Sequence, residues 1–422
     1  MKLQKILSKF QKLHSREIDL SLDRIRLLMS KLGNPEDKIK CIQVCGTNGK
    51  GSTISFLRSI LKEANYKCNV YTSPHVISIN ERFVYNDKMI NDDDLADLLN
   101  EVHDVNNGKA LTYFEALTAA FFLGCMKYQE NIVLAEFGLF GRCDAVNILK
   151  KNLANCVSSI SHDHLDWLPE NDRTIERIIY EKTSSLLNSN IIVAKQTSNK
   201  ITECIKKNIS NNNANKIFYE EDYNYVLKEN DFFFYEDKYG SLKIPKPNIK
   251  GDFQLENAST AIATLRTLND LKIKDKHIIE GIKKAHNPAR LQEIKEGNLK
   301  DLVKNNTLIC DGTHNPGGAE VLSKYLYNLN CDVHAIIGMM ANKNHEEYIR
   351  FFKNLKSVTT IDIPNTPNAI DGKKLKEKFN IIPNVQYKES VEEAIKSIPL
   401  NKNDILIITG SLYLASEVLK LN

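Results

Sequence analysis

The chain has 422 residues, 42% of them hydrophobic and 26% charged, with 57 Lys and Arg against 53 Asp and Glu for a formal net charge of +4. At roughly 150 residues per domain, this length and composition predict two or three domains of a soluble globular protein. So even a charge balance argues against nucleic acid as a partner. No run approaches the roughly 18 to 20 apolar residues that span a bilayer, which argues against a membrane.

The first residues, Met1-Lys2-Leu3-Gln4-Lys5, are basic and lead into an amphipathic helix rather than an apolar signal core, which predicts a cytoplasmic protein. The nine cysteines are scattered with no C-x-x-C pair. Cys41 and Cys45 would share a strand face but lie roughly 13 Å apart at strand rise, too far for a disulfide or a single metal. They read as reduced core thiols. Short apolar strands are predicted at 40–45, 68–72, 131–136, 155–160 and 190–194, with helices at 51–64, 92–103, 113–129 and 174–187. This alternation predicts a parallel sheet flanked by helices. A surface helix and loop at 198–215 precedes the aromatic-rich segment 216–245, whose alternation predicts a small antiparallel unit. Helices follow at 254–268 and 274–285. Beyond Pro288 a second alternating block places strands at 307–311, 332–337, 357–362, 384–387 and 404–409. The expected architecture is α/β throughout. An N-terminal P-loop domain, 1–287, carries a mostly parallel sheet and the small antiparallel unit, and a smaller Rossmann-like domain follows at 288–422.

Residues Gly46-Thr47-Asn48-Gly49-Lys50-Gly51-Ser52 stand between the first strand and the next helix. Strand, glycine turn and helix form a phosphate-binding loop. The glycines let backbone N–H groups converge on an anion, Lys50 adds a full charge, and the helix N-terminus adds a partial one. The spacing departs from G-x-x-x-x-G-K-[ST], because Gly46 lies three residues before Gly49 and Gly51 separates Lys50 from Ser52. A simple glycine turn leaves the Lys and Ser unexplained. Strand 68–72 runs into Thr72-Ser73-Pro74-His75, followed by Asn80-Glu81-Arg82, where Ser73 suits a cation and Arg82 a carboxylate. Strand 131–136 ends on Glu136, placed to hold Mg²⁺ on a nucleotide, and Gly138-Leu139-Phe140-Gly141-Arg142-Cys143-Asp144 reads as a binding turn. Ser161-His162-Asp163-His164 follows the next strand. Zinc lacks a third nitrogen or sulfur ligand there, which leaves a second divalent ion, a phosphate contact or a plain loop histidine. Asp311-Gly312-Thr313-His314-Asn315-Pro316 follows the first strand of the second block. Asn401-Lys402-Asn403-Asp404 superficially matches a guanine-reading motif but precedes its strand, and reads as a polar turn.

In this order the residues resemble the folylpolyglutamate synthase / dihydrofolate synthase family, relatives of the Mur ligases, over nearly the whole chain. The resemblance rests on Leu22-Asp23-Arg24-Ile25 and Leu32-Gly33-Asn34-Pro35, the loop 46–52, 72–75, 80–82, Thr112-Tyr113-Phe114-Glu115 and 136–147. It continues through 163–164, Glu181-Lys182, 251–258, 288–293, 311–316 and Gly410-Ser411-Leu412-Tyr413. It implies an ATP-dependent ligase. ATP phosphorylates a pterin-linked carboxylate, the amine of L-glutamate attacks the acyl phosphate, and an amide forms. It further implies that Ser73 and Glu136 hold one Mg²⁺ and His164 helps to hold a second. Lys182 matches a lysine that is carbamylated in the family, and Asn257, Arg290, Asp311 and His314 match ATP contacts. Thr72, Pro74, His75, Arg82, Tyr113, Phe114 and Glu115 stand where the pterin and its benzoate are received. Tyr113 and Phe114 suit stacking on a flat heterocycle, and equally suit core packing. The implied partners are dihydropteroate or a reduced folate, L-glutamate and ATP, on a monomer.

Departures from the family pattern are specific. His164 and Lys182 are 182 − 164 = 18 residues apart, longer than usual, and Thr183-Ser184 follows Lys182 where Ala-Gly is common. Phe253 replaces a common His, Asn344 a frequent Asp after Lys343, and Phe140 a Gly. None removes an expected phosphate or metal contact, so an active enzyme is expected. A Mur-type enzyme acting on a UDP-sugar normally carries a further N-terminal domain, for which the roughly 40 residues before the loop are too few. A regulatory P-loop protein is disfavoured by the second α/β block and the lack of a placed base-reading motif.

Overall fold

The computed structural model describes residues 2–14, 19–229, 231–380 and 382–422, and among them the strands form three sheets. In the first sheet β1 (Lys40–Cys45), β2 (Cys68–Tyr71), β3 (Phe83–Tyr85), β4 (Lys88–Met89), β5 (Ile132–Glu136), β6 (Ala154–Val157), β7 (Asn190–Val193) and β8 (Lys216–Phe218) lie in the order β4-β3-β2-β5-β1-β6-β7-β8. Strands β2, β5, β1, β6, β7 and β8 are parallel, and β3 and β4 form an antiparallel hairpin at one edge. The parallel strands are buried along nearly their whole length, as expected when both faces are covered. That is why β5 reads Ile-Val-Leu-Ala before its single charge, Glu136. Chain order reverses at β1, which has β5 on one side and β6 on the other. The C-terminal ends of the three strands therefore share one edge, with Val44 level with Glu136 and Cys45 with Val157. Loops leaving such a reversal are where open α/β sheets hold ligands.

The segment expected as one antiparallel unit divides. Lys216–Phe218 extends the large sheet in parallel beside β7. The chain then turns at Glu220, which has φ 72°, and the Asp222 carboxylate accepts from Phe218 N at 2.7 Å. Only β9 (Tyr223–Glu229), β10 (Phe232–Asp237) and β11 (Gly240–Pro245) form the antiparallel sheet. The helix Lys50–Glu63 buries Ile54, Phe56, Leu57, Ile60 and Leu61. It packs on the helix Asp275–Lys284, where Gly281 allows close approach: a Cβ there would lie 2.5 Å from Ile60 Cα. The nine cysteines are free, and burial pushes the Cys45 thiol up to about 12, so it stays protonated.

A third sheet contains β12 (Gln292–Ile294), β13 (Thr307–Cys310), β14 (Val333–Ile337), β15 (Ser357–Ile361), β16 (Val385–Lys388) and β17 (Ile405–Thr409), in the order β12-β13-β17-β14-β15-β16. Five strands are parallel and β12 is antiparallel to β13. Its core includes Leu322, Ile337, Met339, Tyr348, Phe352 and Ile407. The chain divides into two compact units, but not at one point. The first comprises 1–160, 171–248 and 255–285, and the second 161–170, 249–254 and 286–422. The single cut at 287/288 drawn from sequence therefore differs from this partition at 286–287 and, away from the boundary, at two short segments. Each is tied to the second unit by side chains: Asp163 by Asn315 and Lys343, and Phe253 by packing on the core of the third sheet. No described helix is long and apolar enough to cross a membrane.

Candidate active site

The phosphate loop leaves β1 at Gly46, with φ 131°, and enters its helix after Gly49, with φ 90°. Both conformations are rare for L side chains, and neither site has room for one. A Cβ on Gly46 would lie 2.1 Å from Ser158 Oγ, and one on Gly49 2.3 Å from Asn257 Oδ1. The loop is thus pressed between the end of β6 and the helix Phe253–Arg266, which brings the predicted Asn257 against it. Thr47 N and Asn48 N both donate to Ser159 O, at 2.9 and 3.0 Å. Anion contact therefore falls to the start of the helix, with the Lys50 and Ser52 side chains. Lys50 Nζ lies 3.2 Å from Thr47 O and 3.8 Å from Glu136 Oε1.

Glu136 is 6% exposed, and its Oε2 accepts from Ser73 N at 3.2 Å. Loop lysine, strand-end carboxylate and Ser73 are thus gathered at one edge of the sheet. Mg²⁺ is commonly held by one or two carboxylates together with substrate phosphates, and an oxygen donor beside a phosphate loop fits it. Among the described residues no group of three or more His, Cys, Asp and Glu could hold a metal by itself. Lys182, in the last turn of the helix Ile175–Thr183, is 2% exposed. Its Nζ donates to Gly46 O at 2.9 Å and Leu139 O at 2.7 Å, and lies 5.5 Å from the Phe140 ring centre. It braces the loop from behind. Beside the site, His75 Nδ1 accepts from Arg82 Nε at 3.0 Å, and the Ser73–Pro74 bond after Thr72 is cis.

A small depression in the same unit is lined by Thr112, Phe114, Glu115, Phe140, Cys143 and Asp144 among others. Thr112 caps the helix Tyr113–Cys125, and its backbone N–H donates to Glu115 Oε2 at 2.8 Å, so the predicted Glu115 closes a capping box. That oxygen also accepts from Arg24 Nε at 3.1 Å. Glu115 Oε1 is buried with no hydrogen-bond partner among the described residues. Phe114 lines the pocket; Tyr113, Thr72, Pro74, His75 and Arg82 are not among its lining residues. Asp144, read in the sequence only as part of a binding turn, is 4% exposed. Burial pushes its carboxyl up to about 6, against the opposing pull of the Leu139, Val146 and Gly138 N–H groups. The pocket combines flat apolar walls with three carboxylates, Asp19, Glu115 and Asp144.

The second unit carries its own cluster. His164 takes a left-handed conformation, φ 58° and ψ 29°. Asp163, which sequence reasoning passed over, accepts from Lys343 Nζ at 2.7 Å and Asn315 Nδ2 at 3.1 Å. His314 Nε2 lies 3.7 Å from the same carboxylate. Burial alone would raise the Asp163 carboxyl, but His164, His314 and Lys343 hold it well below the usual range. Asp311 accepts from Leu291 N and Thr313 N, both at 2.8 Å, and so ties the segment carrying Arg290 to the turn carrying His314. Arg290 stands between Ala289 and Leu291, with φ 54° and 46°, a backbone strained for side-chain-bearing residues.

The profile of the Mur ligase middle domain matches residues 44–265, and that of the Mur ligase glutamate ligase domain matches 290–412. The dihydrofolate synthase/folylpolyglutamate synthase of Bacillus subtilis is 30% identical over 421 residues, covering 94% of each chain. The folylpolyglutamate synthase of Lacticaseibacillus casei is 26% identical over 94% of this chain and 92% of its own. The structure of Escherichia coli FolC in complex with DHPP and ADP superposes with a TM-score of 0.88, at 29% identity over 99% of this chain and 97% of that one.

Proposed function

Since the chain belongs to the dihydrofolate synthase/folylpolyglutamate synthase family of the Mur ligases, we propose that it joins L-glutamate to dihydropteroate and to reduced folates with ATP. The substrate carboxylate takes the γ-phosphoryl group and ADP departs. The glutamate amine then attacks the acyl carbon, phosphate leaves, and the amine proton is lost as the amide forms. The observation that carries this reading is the glycine loop whose Lys50 lies 3.8 Å from the strand-end carboxylate Glu136. Phosphoryl transfer needs positioning and charge neutralisation more than covalent help. Purified protein with ATP, Mg²⁺ and glutamate is expected to form product with dihydropteroate, and separately with tetrahydrofolate. Product with only one restricts the enzyme to that addition, and product with neither overturns the reading.

In this reaction the loop Gly46 to Ser52 holds the phosphates, at the start of its helix and with the Lys50 and Ser52 side chains, and Asn257, Arg290, Asp311 and His314 serve the nucleotide. Ser73 and Glu136 would hold Mg²⁺ and His164 a second ion, which supply charge neutralisation at the transferring phosphoryl group. Lys182 keeps Gly46 in place. Conversion of Lys182 to a carbamate would leave one N–H where the amine now serves two carbonyls, Gly46 O and Leu139 O. Its carboxylate would in exchange add an oxygen donor near the metal. We expect intact-protein mass spectrometry in bicarbonate to show a gain equal to one CO₂ that is absent in Lys182→Met. An active enzyme with an unmodified amine would rule the carbamate out. The enzyme is taken as a cytoplasmic monomer with its ATP-binding domain at 1–287 and ligase domain at 288–422.

A flat heterocycle bearing N–H donors placed beside Phe114 would meet Asp144 and Glu115 Oε1 as acceptors. Asp144 is a strong, acceptor-only partner for such donors when ionised, and loses that charge and one acceptor site when protonated. With its carboxyl at about 6, the competent form dominates above that value and declines below it. We expect KM for dihydropteroate to rise as pH falls from 7 to 5 and Asp144→Asn to abolish that rise while raising KM throughout. A variant whose KM keeps the wild-type pH response would remove Asp144 from substrate recognition.

A further inference from the structure

Five contacts converge on the buried Asp163 carboxylate within the second unit. Oδ1 accepts from His164 N at 2.9 Å and Lys343 Nζ at 2.7 Å, and Oδ2 accepts from Asn315 Nδ2 at 3.1 Å. The imidazole Nε2 atoms of His314 and His164 lie 3.7 and 3.8 Å from Oδ2. Two of the partners are aimed by a second interaction. His314 Nδ1 sits 2.9 Å from Gly312 O, which places its proton there and turns Nε2 towards the carboxylate. Asn315 caps the helix Pro316–Tyr327 through Oδ1, which accepts from Gly318 N at 2.9 Å, leaving Nδ2 to face Asp163. The backbone bond from His164 N holds that residue in its left-handed turn, a conformation disfavoured for a residue with a side chain.

We infer that Asp163 is a positioning residue for the ligation: one carboxylate sets the orientation of His164, His314 and Lys343 together. This rests on the reading that His164 and His314 serve the metal and the nucleotide. A carboxylate behind an imidazole fixes its rotation and tautomer and raises its basicity. One that also neutralises a lysine makes the three groups respond as a set. Without it Lys343 is a largely buried cation lacking its counter-charge, and both imidazoles lose the carboxylate that faces Nε2.

Binding of Mn²⁺ in the presence of AMPPNP, followed by electron paramagnetic resonance, tests this alongside thermal melting and steady-state kinetics. Asp163→Asn is expected to melt cooperatively, to weaken Mn²⁺ binding by about 10- to 100-fold, the range for partners that orient a metal ligand, and to lower kcat. Adding Lys343→Met to it should cause little further loss, because both changes break the same set. A lowered melting temperature with unchanged Mn²⁺ affinity would overturn the proposal, as would independent, additive losses in the double variant. If Asp163→Asn does not fold, Asp163→Glu keeps the charge but displaces the carboxylate, and is expected to fold and show the weakened binding; wild-type binding there overturns the proposal. The underlying reading is tested separately. Wild-type Mn²⁺ binding in both His164→Ala and His314→Ala removes that reading, whereas losses there with none in Asp163→Asn remove only the positioning role.

Discussion

Lys50→Ala is expected to lower kcat/KM for ligation by about 100- to 1,000-fold, the loss seen when a preorganised donor to developing charge is removed. Lys50 is the only charged residue in the glycine loop 46–52. Its side chain is 13% exposed, and its Nζ is held between Thr47 O and Glu136. The ammonium is therefore aimed before ATP arrives, so little reorganisation is needed when the phosphates enter. Lys50→Arg should not restore activity. A planar guanidinium presents a different shape from a compact ammonium in a loop already packed against Asn257 and Ser158. Steady-state kinetics with dihydropteroate decide the matter; Lys50→Ala keeping more than a tenth of wild-type activity would contradict the role given to it.

Glu136→Gln preserves shape but removes the charge and one acceptor oxygen, and it is expected to lower kcat/KM by about 100-fold or more while raising the Mg²⁺ concentration needed for half-maximal rate. A hard divalent ion prefers anionic oxygen, and a neutral amide is a poorer ligand. The substitution also takes the counter-charge from Lys50 in a largely buried setting, where breaking a pair costs about 3–5 kcal/mol. Urea unfolding separates the two effects. Lost stability with an unchanged Mg²⁺ requirement would leave Glu136 as a partner of Lys50 and not of the metal. Chelation should abolish wild-type activity and Mg²⁺ should restore it.

The α/β architecture was legible because buried parallel strands read as unbroken apolar runs and the loop 46–52 carries residues with no packing purpose. What escaped was short or distant. The hairpin β3-β4 contributes only Phe83–Tyr85 and Lys88–Met89 around a turn at Asn86 and Asp87, both with positive φ. Asn-Asp is a weaker turn signal than Asn-Gly. Three residues at Lys216–Phe218 sit before another aromatic stretch, and only the turn at Glu220 separates them. Asp144 looked like one polar residue of a glycine-rich loop until burial and the walls of Phe114 and Phe140 surrounded it. Asp163 was overshadowed by its neighbour His164, because its partners Asn315 and Lys343 lie 152 and 180 residues further along the chain. Local pattern carries no trace of such pairings.

The second unit is assembled from 161–170, 249–254 and 286–422, and this has a consequence for biosynthesis. At about 5–20 residues per second, Lys343 follows Asp163 off the ribosome by 180 residues, or roughly 10 to 35 s. During that interval Asp163 and Phe253 wait without the sheet they belong to. The unit is complete only when the last strand, β17, has been made. A fragment beginning at residue 288 would lack both segments, leaving Lys343 without its carboxylate and part of the core without its cover. The C-terminal portion of this chain is therefore expected to depend on earlier residues for its native state, even though in sequence it looks like a free-standing domain.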